Sequence, residues 1–316
     1  MYKILITDRL GQEGLDRLQE IGDVSYEMMT HMSKEELLAE VPNYDGLIVR
    51  SGTKVDADVL AAGEKLRVVG RAGIGVDNID VPAATQHGVL VMNTPRANSV
   101  ATAEMTMALM LAVCRNVVAS HKSLESGEWR RSPFTGRELM GKTLGVIGLG
   151  YIGRLVTRRA QAFAMKVIAH DPHIPEVVGT EMNVTLLPLE EMLGRADIVT
   201  LHATVTPGSR HIINAQTIAH MKDGAIVVNV ARGALVDGKA LAEALRNGKL
   251  AGAAVDVYEQ EPPDGNPLIG LPHGVHTPHL GASSKEAQTR VAVEIVEQMV
   301  DALRGTEYRN VLNRDE

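Results

Sequence analysis

The run Gly148-Leu149-Gly150-Tyr151-Ile152-Gly153 restricts what this chain can fold into more than any other feature. It follows the apolar run Thr143–Ile147 and opens a helical stretch that continues to about Phe163. In a strand–turn–helix unit the first glycine permits the tight turn and the second lets backbone approach a pyrophosphate. The third lets helix and strand pack closely, and unpaired N–H groups at the helix start favour an anion. Glycines at this spacing are a weak signal alone; the strand before them, the helix after them and an acid further on make it specific. That acid is Asp171, just past Lys166–His170 and near the separation of about 20 residues expected for a group that binds an adenosine ribose. A carboxylate there repels a 2′-phosphate, so the sequence predicts NAD as cofactor rather than NADP. His170 and His173 flank Asp171, but Pro172 and the strand end spread their side chains, which argues against a metal.

The same alternation of short apolar runs and longer amphipathic stretches fills the chain. Candidate strands are Lys3–Thr7, Gly46–Arg50, Val68–Arg71, Val89–Asn93, Thr143–Ile147, Lys166–His170, Asp197–His202, Ala225–Val230 and Ala251–Val257. Several are continuous Val/Ile/Ala runs, the pattern of parallel strands buried on both faces. The expected class is α/β with doubly wound parallel sheets and right-handed crossovers. With 316 residues the chain has the length for two domains. The stretch from Ser99 to Leu124, rich in Ala, Met and Leu, reads as one long helix. The last helix, Ser283 to Leu303, places Ala287, Val291, Ile295, Met299 and Leu303 at spacings of four, which gives one apolar face. A hydroxyl cap in Ser283-Ser284 and Glu286 in the first turn suit its start. It has the length to return to the N-terminal part and make that domain discontinuous.

Composition narrows the function classes. A formal net charge of −7 argues against a nucleic-acid partner, which would need a basic surface. It leaves room for an anionic substrate, because a local arginine cluster can oppose the global sign. Cys114 is the only cysteine and lies in the apolar run Met107 to Cys114, where a small buried hydrophobe is the expected role. The apolar core of the N-terminal segment is too short for a signal peptide, and no apolar run approaches the roughly 18 residues of a membrane span. A cytoplasmic location follows by elimination.

A hydroxy-acid oxidation needs a grip on the carboxylate and a carrier for the hydroxyl proton. Arg232 directly follows a buried strand, Glu261 lies in Tyr258-Glu259-Gln260-Glu261-Pro262-Pro263, and His279 lies in Thr277-Pro278-His279-Leu280-Gly281. Arginine can hold a carboxylate with two parallel hydrogen bonds, and a neighbouring glutamate stabilises a protonated histidine. Spacing alone leaves this trio a candidate. His273, His276 and His279 lie three apart, but the intervening prolines and extended backbone speak against convergence on a metal, and none is expected.

Seven segments in order carry a resemblance over essentially the whole length. They are Val49–Val55, Gly70–Asn78, Met92–Pro95, Gly148–Gly153, Val230–Asp237, Asp256–Pro263 and Pro278–Ser284. On these motifs the chain resembles the D-isomer-specific 2-hydroxyacid dehydrogenases, most of all those that oxidise 3-phosphoglycerate to 3-phosphohydroxypyruvate in serine biosynthesis. The resemblance implies that Arg232 orients the carboxylate, that His279 is the general acid/base and that Glu261 is its partner. It implies that Asp256 contacts the nicotinamide carboxamide and that Tyr151, Ile152, Ala203, Val230, Ala231, Arg232, His279 and Gly281 border the cofactor. The loop Gly73-Ile74-Gly75 resembles one whose N–H groups hold the substrate carboxylate, with Ile74 also beside the cofactor. The family's fold implies a Rossmann NAD domain, residues 97–281, inserted into a smaller flavodoxin-like substrate domain, residues 1–96 and 282–316. The helical region after Asn98 resembles the family's dimer-forming segment, so a homodimer is expected.

Substrate choice rests on arginines. Arg50 and Arg71, with Ser51 and Gly52 beside them, resemble residues on the phosphate side of the substrate, and Arg130-Arg131 resembles a basic segment that reaches in from a partner subunit. The alternative for Arg130 and Arg131 is a solvated surface pair. Gly52 stands where relatives often carry alanine and is expected to loosen the substrate loop. The chain ends at Glu316, from which a short form without the regulatory C-terminal domain of many relatives is expected. Sulfolactate, hydroxypyruvate or glycerate, and lactate stay open as alternative substrates. A further alternative is an NAD-sensing binding module like the corepressors that keep the same trio.

Overall fold

The computed structural model describes residues 1–314, which divide into two compact units. One comprises Met1–Ser99 together with the segment from Ala282 onward, and the other is Val100–Gly281.

The first unit is built on β1 (Tyr2–Ile6), β2 (Val24–Met28), β3 (Gly46–Val49), β4 (Val68–Arg71) and β5 (Leu90–Asn93). All pair in parallel in the order β2-β1-β3-β4-β5, the flavodoxin-like order. The C-terminal helix Lys285–Arg304 packs on helix Gln12–Glu20 and across β3, β4 and β5. Ser284 Oγ accepts from Ala287 N at 3.2 Å at its start, and Gly305 ends it in the left-handed conformation, φ 74°. The apolar face read from the sequence is the buried one: Ala287, Val291, Ile295, Met299 and Leu303 are all buried. The four large side chains contribute roughly 1.5–3 kcal/mol each, about 6–12 kcal/mol as an upper estimate. That burial accounts for the C-terminal segment belonging to the N-terminal unit.

The second unit carries β6 (Thr143–Ile147), β7 (Lys166–His170), β8 (Thr185–Leu186), β9 (Ile198–Leu201), β10 (Ala225–Asn229), β11 (Leu250–Val255) and β12 (Gly274–His276). The parallel order is β12-β11-β10-β9-β6-β7-β8. From β6 the chain winds outward through β7 and β8, then returns to place β9 on the other side. Such a reversal opens a crevice at the carboxyl ends of β6 and β9, where doubly wound sheets bind ligands. Apolar layers cover both faces of the sheet, as the continuous Val/Ile/Ala runs require.

Three of these strands, β2, β8 and β12, were not expected from the sequence, and the others agree with it to within one or two residues. The expected single helix from Ser99 to Leu124 is corrected to two, Ser99–Cys114 and Val117–Glu125, bent by 62°. Asn116 sits between them in the left-handed region, φ 53°, which asparagine tolerates better than most residues. Among the described residues no single helix is long and apolar enough to cross a membrane; the bent pair passes only by length and composition. Cys114 is buried as expected, and that burial pushes its thiol up to about 11.

Candidate active site

The expected site residues of the second unit lie at the carboxyl ends of strands or in the loops that follow, except Tyr151, Ile152 and Gly153, which form the first turn of helix Tyr151–Ala162. After β6 the chain turns at Gly148, whose φ of 90° and close approach to the 202–203 backbone exclude a side chain: a Cβ would lie 2.6 Å from Ala203 N. A Cβ on Gly153 would lie 2.1 Å from Gly148 O, so helix Tyr151–Ala162 can sit directly on the turn only with glycine there. Gly150 has nothing within 4 Å of its Cβ position. Its space is open on the ligand side, which is what close approach of a pyrophosphate requires. Tyr151 opens the helix half-exposed, and Ile152 packs partly on the core.

Asp171 closes the same turn. Its Oδ2 accepts from Leu149 N at 2.8 Å and its Oδ1 from His173 N at 3.0 Å. Gly148, Gly150, Asp171, Ala203, Thr206 and Ser209 are among the residues that line one cavity of ≈ 360 Å³. An open glycine turn at a helix N-terminus, an acid at the next strand end and a cavity of this size together fit an adenosine diphosphate moiety.

The proton-transfer candidates meet on three adjoining turns. His279 Nδ1 is 2.7 Å from Glu261 Oε2, and Glu261 Oε1 accepts from Tyr258 N at 3.0 Å. Burial alone would raise the Glu261 carboxyl, but hydrogen bonds from His279 and Tyr258 N, with the charges of His279 and Arg232, bring it below its ordinary value. Arg232 follows β10 on a turn held by the buried Asn229, which accepts from Ala231 N at 3.0 Å and donates to Arg232 O at 2.9 Å. A Cβ on Gly233 would lie 1.9 Å from the Tyr258 carbonyl carbon. The Arg232 turn therefore rests directly on the backbone that leads to Glu261. Arg232 Nη1 donates to Ala231 O at 2.7 Å.

Asp256 is fully buried at the end of β11, and its carboxylate is engaged by the loop that carries His279. Oδ1 accepts from Thr277 Oγ1 at 2.5 Å and from Leu280 N at 2.7 Å; Oδ2 accepts from Gly281 N at 2.7 Å. His279 N donates to Asp256 O at 2.8 Å, and His279 itself has φ 55°. Asp256 thus fixes a backbone conformation that a non-glycine residue adopts only when its surroundings enforce it. Val230 is buried and Ala231 half-buried beside it, with Gly281 closed against Val230 and Asp256.

In the first unit Arg50 and Arg71 line one small cavity of ≈ 30 Å³ with Arg9. Arg50 N donates to Asp8 Oδ2 at 2.7 Å, and Arg50 Nη1 reaches Arg9 O at 3.4 Å. Arg71 Nη1 donates to Ala72 O at 3.2 Å. Gly73-Ile74-Gly75 follows β4, with Thr94 N on Gly73 O at 3.0 Å and Asn93 Nδ2 on Ile74 O at 2.6 Å. Ser51 and Gly52 are exposed. Asn78 Nδ2 bonds both Arg50 O and Thr53 O, at 2.7 and 2.6 Å, and Gly52 lies close against Asp8. Arg130 Nη1 pairs with Glu128 Oε2 at 3.1 Å on the surface, and Arg131 is exposed.

Sequence reasoning missed Arg9, Asn229 and His202. Asn229 had a signal, a lone amide at the end of the run Ala225-Ile226-Val227-Val228. His202 lines the dinucleotide cavity with Nε2 3.0 Å from Thr200 Oγ1, and burial pushes it down to about 3, so it is neutral.

Known proteins agree with this geometry. Residues 107–281 match the family described as D-isomer specific 2-hydroxyacid dehydrogenase, NAD binding domain. The chain is 52% identical over 314 residues to D-3-phosphoglycerate dehydrogenase of Methanocaldococcus jannaschii, covering 99% of this chain and 60% of that one. It is 47% identical over 313 residues to the human protein of the same name, covering 99% of this chain and 58% of that one. The chain therefore spans about 60% of the length of the curated relatives it matches. Among solved structures, the TT0316 protein from Thermus thermophilus superposes with a TM-score of 0.89 at 39% identity, covering 98% of this chain and 99% of that one. The chain belongs to the D-isomer specific 2-hydroxyacid dehydrogenase family, and residues 107–281 form its NAD-binding part.

Proposed function

We propose that this protein oxidises a D-2-hydroxy acid to the 2-keto acid with NAD, and that the acid is 3-phosphoglycerate. The observation that carries the reading is the His279–Glu261 pair at 2.7 Å, held by Asp256 and set beside the Arg232 turn within an NAD-binding fold. With Nδ1 engaged by Glu261, Nε2 of His279 is the nitrogen that takes the substrate hydroxyl proton, and the Glu261 carboxylate stabilises the imidazolium that forms. Arg232 grips the substrate carboxylate, as a planar guanidinium does best. NAD, when bound, supplies the hydride acceptor. Asp171 binds the ribose and selects NAD over NADP.

For the substrate, the high identity to relatives named for 3-phosphoglycerate and the guanidinium groups of Arg9, Arg50 and Arg71 on one cavity favour a second anionic group on the acid. On this reading residues 97–281 serve the cofactor, and residues 1–96 and 282–316 serve the substrate. A homodimer through the region after Asn98 is supported by helix Val117–Glu125, which buries no residue and leaves Val117 and Leu124 exposed, with Trp129 79% exposed nearby in sequence. The single buried cysteine fits the reducing cytoplasm.

The test is NADH formation from 3-phosphoglycerate, D-glycerate, D-lactate and sulfolactate, with the keto acids run in reverse and His279→Ala as control. A strong preference for 3-phosphoglycerate, lost in H279A with NAD still bound, is the expected result. Turnover of only an unphosphorylated or sulfonated acid overturns the substrate. Tight NAD binding with no turnover of any acid overturns the enzyme reading in favour of a binding module.

A further inference from the structure

Glu259 stands between the two halves of the second unit's site and belongs to neither. Its carboxylate contacts Arg210 Nη2 through Oε1, and its Oε2 is 3.3 Å from His211 Nε2. Arg210 and His211 lie near the end of residues 204–212, which have no helix or strand but form a compact turn. Ser209 Oγ accepts from Thr206 N at 2.8 Å and donates to Thr204 O at 2.7 Å, and Arg210 N donates to Thr206 O at 2.9 Å. Thr204, Thr206, Gly208, Ser209 and Ile212 of this turn wall the dinucleotide cavity.

On its other side Glu259 is the residue after Tyr258, whose N–H fixes Glu261 Oε1, while Glu261 Oε2 engages His279. The Glu259 backbone is itself pinned, since its N lies 2.2 Å from where a Cβ on Gly233 would be. A pinned backbone and a side chain held by Arg210 and His211 make Glu259 a strut. It runs from the cavity wall to the turn that carries the acid–base pair.

We propose that Glu259 is a positioning residue that couples cofactor binding to the His279–Glu261 pair through Arg210 and His211. Cofactor packed against residues 204–212 bears on Arg210 and His211, which hold Glu259, and Glu259 holds the Tyr258–Glu261 turn in the arrangement that aims His279. The inference rests on the dehydrogenase reading above for its consequence in turnover, but not for its effect on NAD binding. The side chains of Arg210 and Glu259 are 53% and 45% exposed, and ion pairs this exposed add little to folding stability. Removing the contact therefore changes geometry and coupling rather than the fold.

The experiment compares wild type with Glu259→Gln, Arg210→Gln and the charge swap R210E/E259R. Three readouts are NAD affinity by calorimetry, the shift of the His279 ring C–H resonance on adding NAD, and kcat and KM on the best acid. We expect both single variants to melt within about 3 °C of wild type. Each should bind NAD about fivefold or more weaker, at the low end of usual coupling between sites. Each should also lose most of the NAD-induced His279 shift and lose kcat with little change in the acid's KM. The charge swap should restore at least half of each loss. Single variants that keep wild-type NAD affinity and the wild-type His279 shift overturn the proposal, and so does a swap no better than the singles. If E259Q fails to fold, R210Q carries the same comparison from an exposed loop. Wild type that turns over no 2-hydroxy acid defeats the dehydrogenase reading, while affinity and resonance still decide the role of Glu259.

Discussion

Replacing Asp256 should loosen the His279 turn by an amount that the hydrogen bonds define. The carboxylate accepts from Thr277 Oγ1, Leu280 N and Gly281 N, all within 2.7 Å, in a fully buried position. In Asp256→Asn the amide oxygen can take the Oδ1 place and keep Thr277 and Leu280. The amide NH2 then faces Gly281 N–H, and one orphaned buried donor costs about 1–3 kcal/mol. In Asp256→Ala all three donors are left, roughly 3–6 kcal/mol after entering water recovers part of the loss. At 1.4 kcal/mol per factor of ten, amide exchange at Leu280 and Gly281 should quicken about ten- to a hundredfold in the Asn variant. In the Ala variant it should quicken by about a hundredfold to ten-thousandfold, with turnover falling in the same order as His279 loses its fixed backbone. Hydrogen–deuterium exchange resolved to residues 277–281 reads this directly. An Ala variant whose Leu280 and Gly281 amides exchange within about threefold of wild type would refute the brace.

Further predictions follow from the same geometry. Gly150→Ala should fold like wild type, because nothing lies within 4 Å of the new methyl, yet lose about tenfold or more in NAD affinity; Gly148→Ala should lose both, and melting curves with NAD titrations separate the two. Asp171→Asn should keep the turn hydrogen bond to one backbone N–H but raise the NADP-to-NAD ratio of kcat/KM by about tenfold, and an unchanged ratio means the acid does not read the ribose. Glu261 sits below its ordinary value in the folded protein, so the unfolded chain binds more protons as the pH falls through the usual glutamate range. The stability it contributes is present above the unfolded value and is lost as pH drops toward the folded one. Urea midpoints from pH 6 down to about pH 3 should therefore fall more for wild type than for Glu261→Gln.

Much of this was legible in the sequence because burial leaves a simple mark. Strands flanked on both sides, such as Gly46–Val49 and Ala225–Asn229, are continuous apolar runs and read at once. The three strands that escaped notice, Val24–Met28, Thr185–Leu186 and Gly274–His276, all lie at sheet edges. An edge strand is half-solvated and short, so Ser25 and Glu27 break the apolar run that marks interior strands. The break at Asn116 has only a faint signal, the polar pair Arg115-Asn116 within an apolar stretch.

The site divides in the same way. Gly148, Gly150, Gly153 and Asp171 form a local strand–turn–helix device with fixed spacing, so their geometry is written along the chain. Asp256, Thr277 and Leu280 are joined only because β11 delivers one end of a turn to the other, across 24 residues between Asp256 and Leu280. Glu259 lies 48 to 49 residues from Arg210 and His211, and no local pattern announces that they meet. The resemblance supplied the partnership of Glu261 and His279; the structure adds what holds each of them in place.

On the proposed reading, hydride leaves C2 of a D-2-hydroxy acid for the nicotinamide ring while His279 takes the hydroxyl proton. The most direct test incubates the protein with NAD and a C2-deuterated D-2-hydroxy acid, 3-phosphoglycerate first, and locates the deuterium by NMR. One deuterium at C4 of the reduced cofactor for each keto acid formed is the predicted result. Keto acid formed without deuterium in the cofactor, or no reduced cofactor from any acid of this class, would contradict it.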